Sequence, residues 1–183
     1  MQAPEDIVAA TRDWLEKAVI GLDLCPFARA VYIRDQIRFV VSEAETPEDL
    51  LEHLAGELRF LAAASPEETD TTLIIHPRVL QDFLDYNDFL DDAEAAVAGL
   101  GLEGEIQVAS FHPQYQFAET GPDDIENYTS RSPYPMLHLL REASVERAVA
   151  AHPDTSLIYE KNIETLRALG HEGWRRLGIG KKG

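Results

Sequence analysis

The chain has 183 residues, a net charge of −17 and one cysteine. That length suits a single domain, residues 1–183, built on one core. No apolar run reaches the roughly 18–20 residues of a membrane span, and 33 acids against 16 basic residues exclude the basic footprint that nucleic-acid binding needs.

The acidic start, Met1 to Asp6, lacks the basic region of a secretory signal. A lone Cys25 makes no internal disulfide, so a cytoplasmic setting is expected. Apolar positions at Ile7, Val8, Leu15, Ala18, Val19 and Leu22 give residues 5–22 a helical stripe. Residues 36–42 read as a strand, and residues 31–33 are either its hairpin partner or a lead-in. Thr46-Pro47-Glu48-Asp49 is a helix start, with a capping hydroxyl, a first-turn proline and acids at the positive dipole end. Leu50, Leu54, Leu58 and Leu61 continue that helix until Ser65-Pro66. Residues 71–76 are an apolar run of the kind buried on both faces.

Residues 79–98 are predicted helical and strongly acidic. Gly99 to Gly104 form a turn, and residues 105–111 the next strand. A long polar stretch from His112 to Pro135 follows, with a short helix of its own near Asp123 to Tyr128. Two helices close the chain, Met136 to Ala150 and Asp154 to Leu169, with Gly170 as a stop. Alternating strand and helix predicts an α/β domain whose small sheet, of three or four strands, is mainly parallel and flanked by helices. A ferredoxin-like α+β arrangement is the alternative if residues 31–41 are a hairpin.

Two runs end in His-Pro, at His76-Pro77 and His112-Pro113. Parallel strands would put both imidazoles at the carboxyl edge of the sheet, where open α/β sheets bind ligands, about 5 Å apart if the strands adjoin. An imidazole there serves as acid, base or metal ligand; the plain alternative is a ring that ties down a loop through the backbone. A third His-Pro, His152-Pro153, reads as a helix cap. In Arg131-Ser132-Pro133-Tyr134-Pro135 two prolines stiffen the segment, so Arg131 can present its donor fork to an anion or pair with a nearby acid. His138, Arg141 and Glu142 share a face if the segment is helical. Cys25-Pro26-Phe27-Ala28 resembles the Cys-Pro-Phe-Cys of glutaredoxins, but Ala28 replaces the second cysteine and a helical stripe precedes it. No His-Glu-x-x-His, phosphate-binding Gly-rich loop, Gly-x-Ser-x-Gly or zinc-type cysteine pair occurs.

Several longer strings resemble an uncharacterised bacterial family of similar length, a domain of unknown function (DUF1415). They are Cys25-Pro26-Phe27, His76-Pro77, Phe83-Leu84-Asp85-Tyr86-Asn87, Phe111 to Phe117, Glu126 to Thr129 and Arg131 to Glu142. The resemblance covers nearly the whole chain. It implies a single-domain bacterial protein and assigns no catalytic residue.

Three functions compete. The first is a hydrolase- or transferase-type enzyme for a small anionic substrate. His112 is then the acid or base, with His76 and His138 beside it, and Arg131, Tyr134 and Gln114 bind the substrate. The second is a zinc or iron site on His76 and His112 with His138 or Cys25. The third is a non-catalytic domain whose acidic helix meets a basic partner. The cofactor and the oligomeric state are left open by the sequence, and neither nucleic acid nor membrane is expected as a partner.

Overall fold

A computed structural model describes residues 2–151 and 156–179. His152-Pro153, the expected helix start at Asp154 and the terminal Lys181 and Lys182 lie outside the described residues. The chain runs α1 (Pro4–Trp14), a π-helical stretch (Leu15–Ile20), α2 (Ala28–Ile33), β1 (Ile37–Val41), α3 (Pro47–Ala63), β2 (Thr71–Ile75), α4 (Phe83–Gly99), β3 (Ile106–Phe111), a 3₁₀ turn (Ile125–Ser130), β4 (Met136–Arg141), α5 (Glu142–Ala151) and α6 (Ser156–Arg176).

The strands form one sheet in the order β1-β2-β4-β3. The α/β class is as expected, but the sheet is mixed rather than mainly parallel. Among the described residues only β1 and β2 pair in parallel; β4 runs antiparallel to both β2 and β3. The difference comes from residues 136–141, expected to open a helix and found as a central strand. Met-Leu-His-Leu-Leu-Arg carries apolar side chains at spacings that suit either a helix or a strand buried on both faces. Pairing along both edges decides it, because it satisfies every backbone polar group of a buried segment. Arg141 and His138 therefore do not share a helix face. Residues 28–33 are helical, so no hairpin precedes β1 and the ferredoxin-like alternative loses its premise.

Strand alternation divides the core in two. Ile74, Leu137, Leu139 and Ile106 face α3 and α4, whose Leu50, Leu54, Leu58, Phe89 and Ala93 complete one cluster. Leu73, Ile75 and Met136 point the other way, against Ile7, Trp14, Leu15 and Val19. The helix starts follow local chemistry. Thr46 Oγ1 accepts from the Asp49 N–H at 3.1 Å, and Asp82 Oδ1 caps α4 through the Asp85 N–H at 3.1 Å. Residues 79–82, expected to be helical, instead form the approach to α4, with Leu80 in the left-handed region at φ 61°. The first helix widens into its π stretch before Gly21, where a Cβ would sit 2.4 Å from the Lys17 carbonyl oxygen. Only glycine fits there.

Candidate functional site

β2 and β3 point the same way, so His76 and His112 do lie at one sheet edge. They are not on neighbouring strands, because β4 lies between them and the His76 N–H bonds to the Pro135 carbonyl at 3.0 Å. Both rings pack against Tyr86. His76 stacks on it at 5.8 Å and His112 tilts against it at 4.9 Å. Tyr86 itself donates its hydroxyl to the Met136 carbonyl (2.7 Å) and accepts from the Phe111 N–H (3.1 Å).

Both histidines are fully buried and bonded to the β2–α4 connection. His112 Nδ1 accepts the Gln114 N–H at 3.0 Å, so the proton sits on Nε2, which donates to the Leu80 carbonyl at 3.0 Å. Burial lowers its pKa, partly offset by the Leu80 carbonyl. Neither nitrogen is left for a substrate. His76 Nδ1 donates to the Val79 carbonyl at 3.0 Å, while buried Nε2 has no partner among the described residues. Burial pushes its pKa down to about 4, since a charge there would have no water. The pair clamps residues 77–81 and holds Leu80 in its strained conformation.

Arg131 clamps the long loop in a similar way. Its Nε donates to the Tyr115 carbonyl at 3.0 Å, Nη2 reaches the Pro122 carbonyl, and the guanidinium covers the Tyr128 ring at 4.6 Å. Gln114 is exposed and contributes its N–H to His112. Tyr134 packs against the opposite core cluster and bonds to the Gln2 side chain. His138 also leaves the group, since it faces that opposite side from β4. The sequence-derived set is thus split across the sheet, and His138 or Cys25 cannot join His76 and His112 on one ion. Among the described residues no three His, Cys, Asp or Glu side chains are arranged to hold a metal.

An enclosed space lies on His138's side. A cleft of about 250 Å³ opens between the sheet, the π stretch, residues 25–31 and the start of α5. Trp14, Cys25, Phe27, Leu73, Phe111 and His138 are among its walls. The Thr71 hydroxyl has one proton and gives it to the Leu139 carbonyl (2.6 Å), so it accepts from His138 Nε2–H (2.7 Å). That fixes the tautomer and leaves Nδ1 as an acceptor, without a partner among the described residues. Burial holds the His138 pKa down to about 4, so the ring is neutral at pH 7. Burial likewise raises the Cys25 thiol, outweighing the N–H groups of Phe27 and Ala28. It is a protonated thiol rather than a poised nucleophile.

At one end the lining turns polar. Asp70 accepts the Ser144 hydroxyl at 2.6 Å and lies 4.0 Å from Arg141 Nε. Arg141 Nη2 reaches the Leu61, Ala64 and Thr69 carbonyls at 2.8 to 2.9 Å, closing the end of α3. Sequence reasoning named His138 but missed the cleft, whose walls come from segments more than a hundred positions apart. The one local signal was the aromatic and cysteine content of residues 14–28, which reads equally well as core.

The model of the family described as "Protein of unknown function (DUF1415)" matches residues 6–176, and the chain belongs to that family. No curated protein and no solved structure matches the chain. No helix among the described residues is long and apolar enough to cross a membrane.

Proposed function

We propose that this chain binds a small, mainly apolar molecule in the cleft beneath His138, with a hydroxyl or N–H of the ligand donated to His138 Nδ1. The observation that carries this reading is a neutral imidazole with one nitrogen locked by Thr71 and the other open in an apolar enclosure. Such a combination of apolar walls and few oriented polar groups is what small-molecule sites use. A cavity of about 150 Å³ suffices for benzene, so the cleft has room for one substituted ring or a short branched chain.

The anionic ligand expected from sequence fits this cleft poorly. Arg131 is engaged in the loop, and among the described lining residues the cation is Arg141, already facing Asp70 and three carbonyls. A bare anion would lose its water and find on this cation only the buried Nε, which already faces the Asp70 carboxylate at 4.0 Å. At pH 7 His138 accepts a hydrogen bond and does not act as an acid. A cytoplasmic setting belongs to the same proposal, since Cys25 sits in the cleft as a free thiol.

The test is titration with phenol and toluene, followed by Trp14 fluorescence and amide chemical shifts. Phenol should bind about threefold to tenfold more tightly, the worth of one hydrogen bond. His138→Leu should erase that preference, and Ala109→Leu should fill the cleft and block both probes. Equal affinity of wild type for the two probes would remove the role given to His138, and no shifts at the cleft residues would remove the site.

A further inference from the structure

A second constellation stands at the carboxyl end of β1, away from the cleft. Ser42 follows the last residue of β1, and its N–H is fixed to the Ile75 carbonyl at 2.7 Å. Its Oγ lies 2.7 Å from Nδ1 of His53, which projects from the second turn of α3. One turn further on, Glu57 Oε1 lies 3.8 Å from His53 Nε2. Arg38 holds the Glu57 carboxylate with both prongs, at 2.9 and 3.2 Å, and is itself laid over the Phe60 ring at 4.1 Å.

The hydrogen bonds set the direction of proton flow. The Ala44 N–H donates to Ser42 Oγ at 3.2 Å, leaving the Ser42 proton for His53 Nδ1. The ring proton then sits on Nε2, facing the carboxylate rather than opposing it with a lone pair. A nucleophile bonded to a base, with the base oriented by a third group, is the arrangement by which serine hydrolases are recognised whatever their chain order. The place also suits the role. Ser42, only 1 % exposed, lies beneath an open depression of about 500 Å³ that Glu43, Ala44, Asp49 and His53 also line, at the strand edge where α/β proteins bind ligands.

We propose that Ser42, His53 and Glu57 form a nucleophilic triad that hydrolyses uncharged or cationic esters. Ser42 Oγ adds to the ester carbonyl carbon while its proton passes to His53 Nδ1. The bond to the leaving alcohol breaks, and the alcohol departs with that proton. Water then adds to the acyl-Ser42 ester and gives a proton to His53, which returns it to Ser42 as the carboxylic acid leaves. The sum is ester plus water to acid plus alcohol. Glu57, anchored by Arg38, orients the ring and stabilises the imidazolium. Glu43 and Asp49 in the lining set the substrate class, because they repel an anionic ester.

The alternative role for the Ser42–His53 bond is to pin the loop to α3, and labelling separates the two. The full chain is incubated with diisopropyl fluorophosphate and read by intact mass and peptide mapping. An adduct on Ser42 is expected, formed about 10²–10⁴-fold more slowly in His53→Gln, with the thermal midpoint of that variant showing that it is folded. Ser42→Ala should lose turnover of p-nitrophenyl acetate. Acetylthiocholine should be cleaved well ahead of p-nitrophenyl hemisuccinate. No Ser42 adduct on folded wild type, equal labelling of His53→Gln, or undiminished turnover by Ser42→Ala overturns the triad. Equal cleavage of the anionic ester overturns the substrate class alone. None of these readouts involves His138, so failure here leaves the cleft untouched, and the reverse holds.

Discussion

Acid should destabilise this fold through histidines buried as neutral rings, and His138→Gln measures one of them. Above pH 6.5 the ring is neutral in the folded and unfolded chain alike, so it adds no pH dependence. Below 6.5 the unfolded chain takes up a proton that the folded one refuses until about pH 4. Stability is therefore full above the unfolded value and falls as the pH drops towards the folded one. A displacement from 6.5 to about 4 amounts to roughly 3 kcal/mol in all, of which about 2 kcal/mol is lost by pH 5. His76 sits at the same depressed value, so the pair together removes about 4 kcal/mol by pH 5, close to the low end of a domain's total stability of about 5–15 kcal/mol. Glutamine can keep the hydrogen bond to Thr71 while removing the titrating ring. Urea unfolding of wild type and variant at pH 7 and pH 5 isolates the term, because every other titrating group is common to both. The variant should lose about 2 kcal/mol less than wild type over that interval. An identical loss in the two proteins would refute the claim that His138 is held neutral by burial.

Tyr86→Phe leaves the Met136 carbonyl and the Phe111 N–H without partners in the core, and should lower urea stability by about 2–4 kcal/mol with the secondary structure by circular dichroism unchanged. Arg131→Gln should release the loop that its guanidinium holds, speeding thermolysin cleavage between residues 114 and 130 severalfold while leaving phenol binding at the cleft as in wild type. Thr46→Ala removes the cap of α3, for a loss of about 1 kcal/mol in the same urea assay. Phenol affinity itself should stay flat from pH 8 to pH 6 and weaken only as His138 protonates, towards pH 4, which a calorimetric titration series would show.

The α/β class, the cap and apolar stripe of α3, the buried run of β2 and the stop before the long loop were legible because each is written in neighbouring residues. A capping hydroxyl, a first-turn proline and leucines at helical spacing act within a few positions, whatever the rest of the chain does. The shared sheet edge of His76 and His112 followed from the same local reading, as their strands do run in one direction. Residues 136–141 were not legible. Six mostly apolar residues satisfy either period, and only the open edges of β2 and β3, both far upstream in chain order, turn them into a strand.

That one strand decides most of the rest. It separates the two His-Pro ends, makes the sheet mixed, and turns His138 away from them into a cleft. Residue types set which side chains could titrate, donate or attack. Which of them kept a free nitrogen or hydroxyl depended on the folded chain, since hydrogen bonds to carbonyls elsewhere had engaged His112 and Arg131. Likewise, nothing in the sequence separates Ser42 and His53 from ordinary polar residues. They become a pair only because the end of β1 is brought to the second turn of α3, where Ser42 meets His53 and Arg38 meets Glu57, and that placement depends on the whole core rather than on any local run of residues.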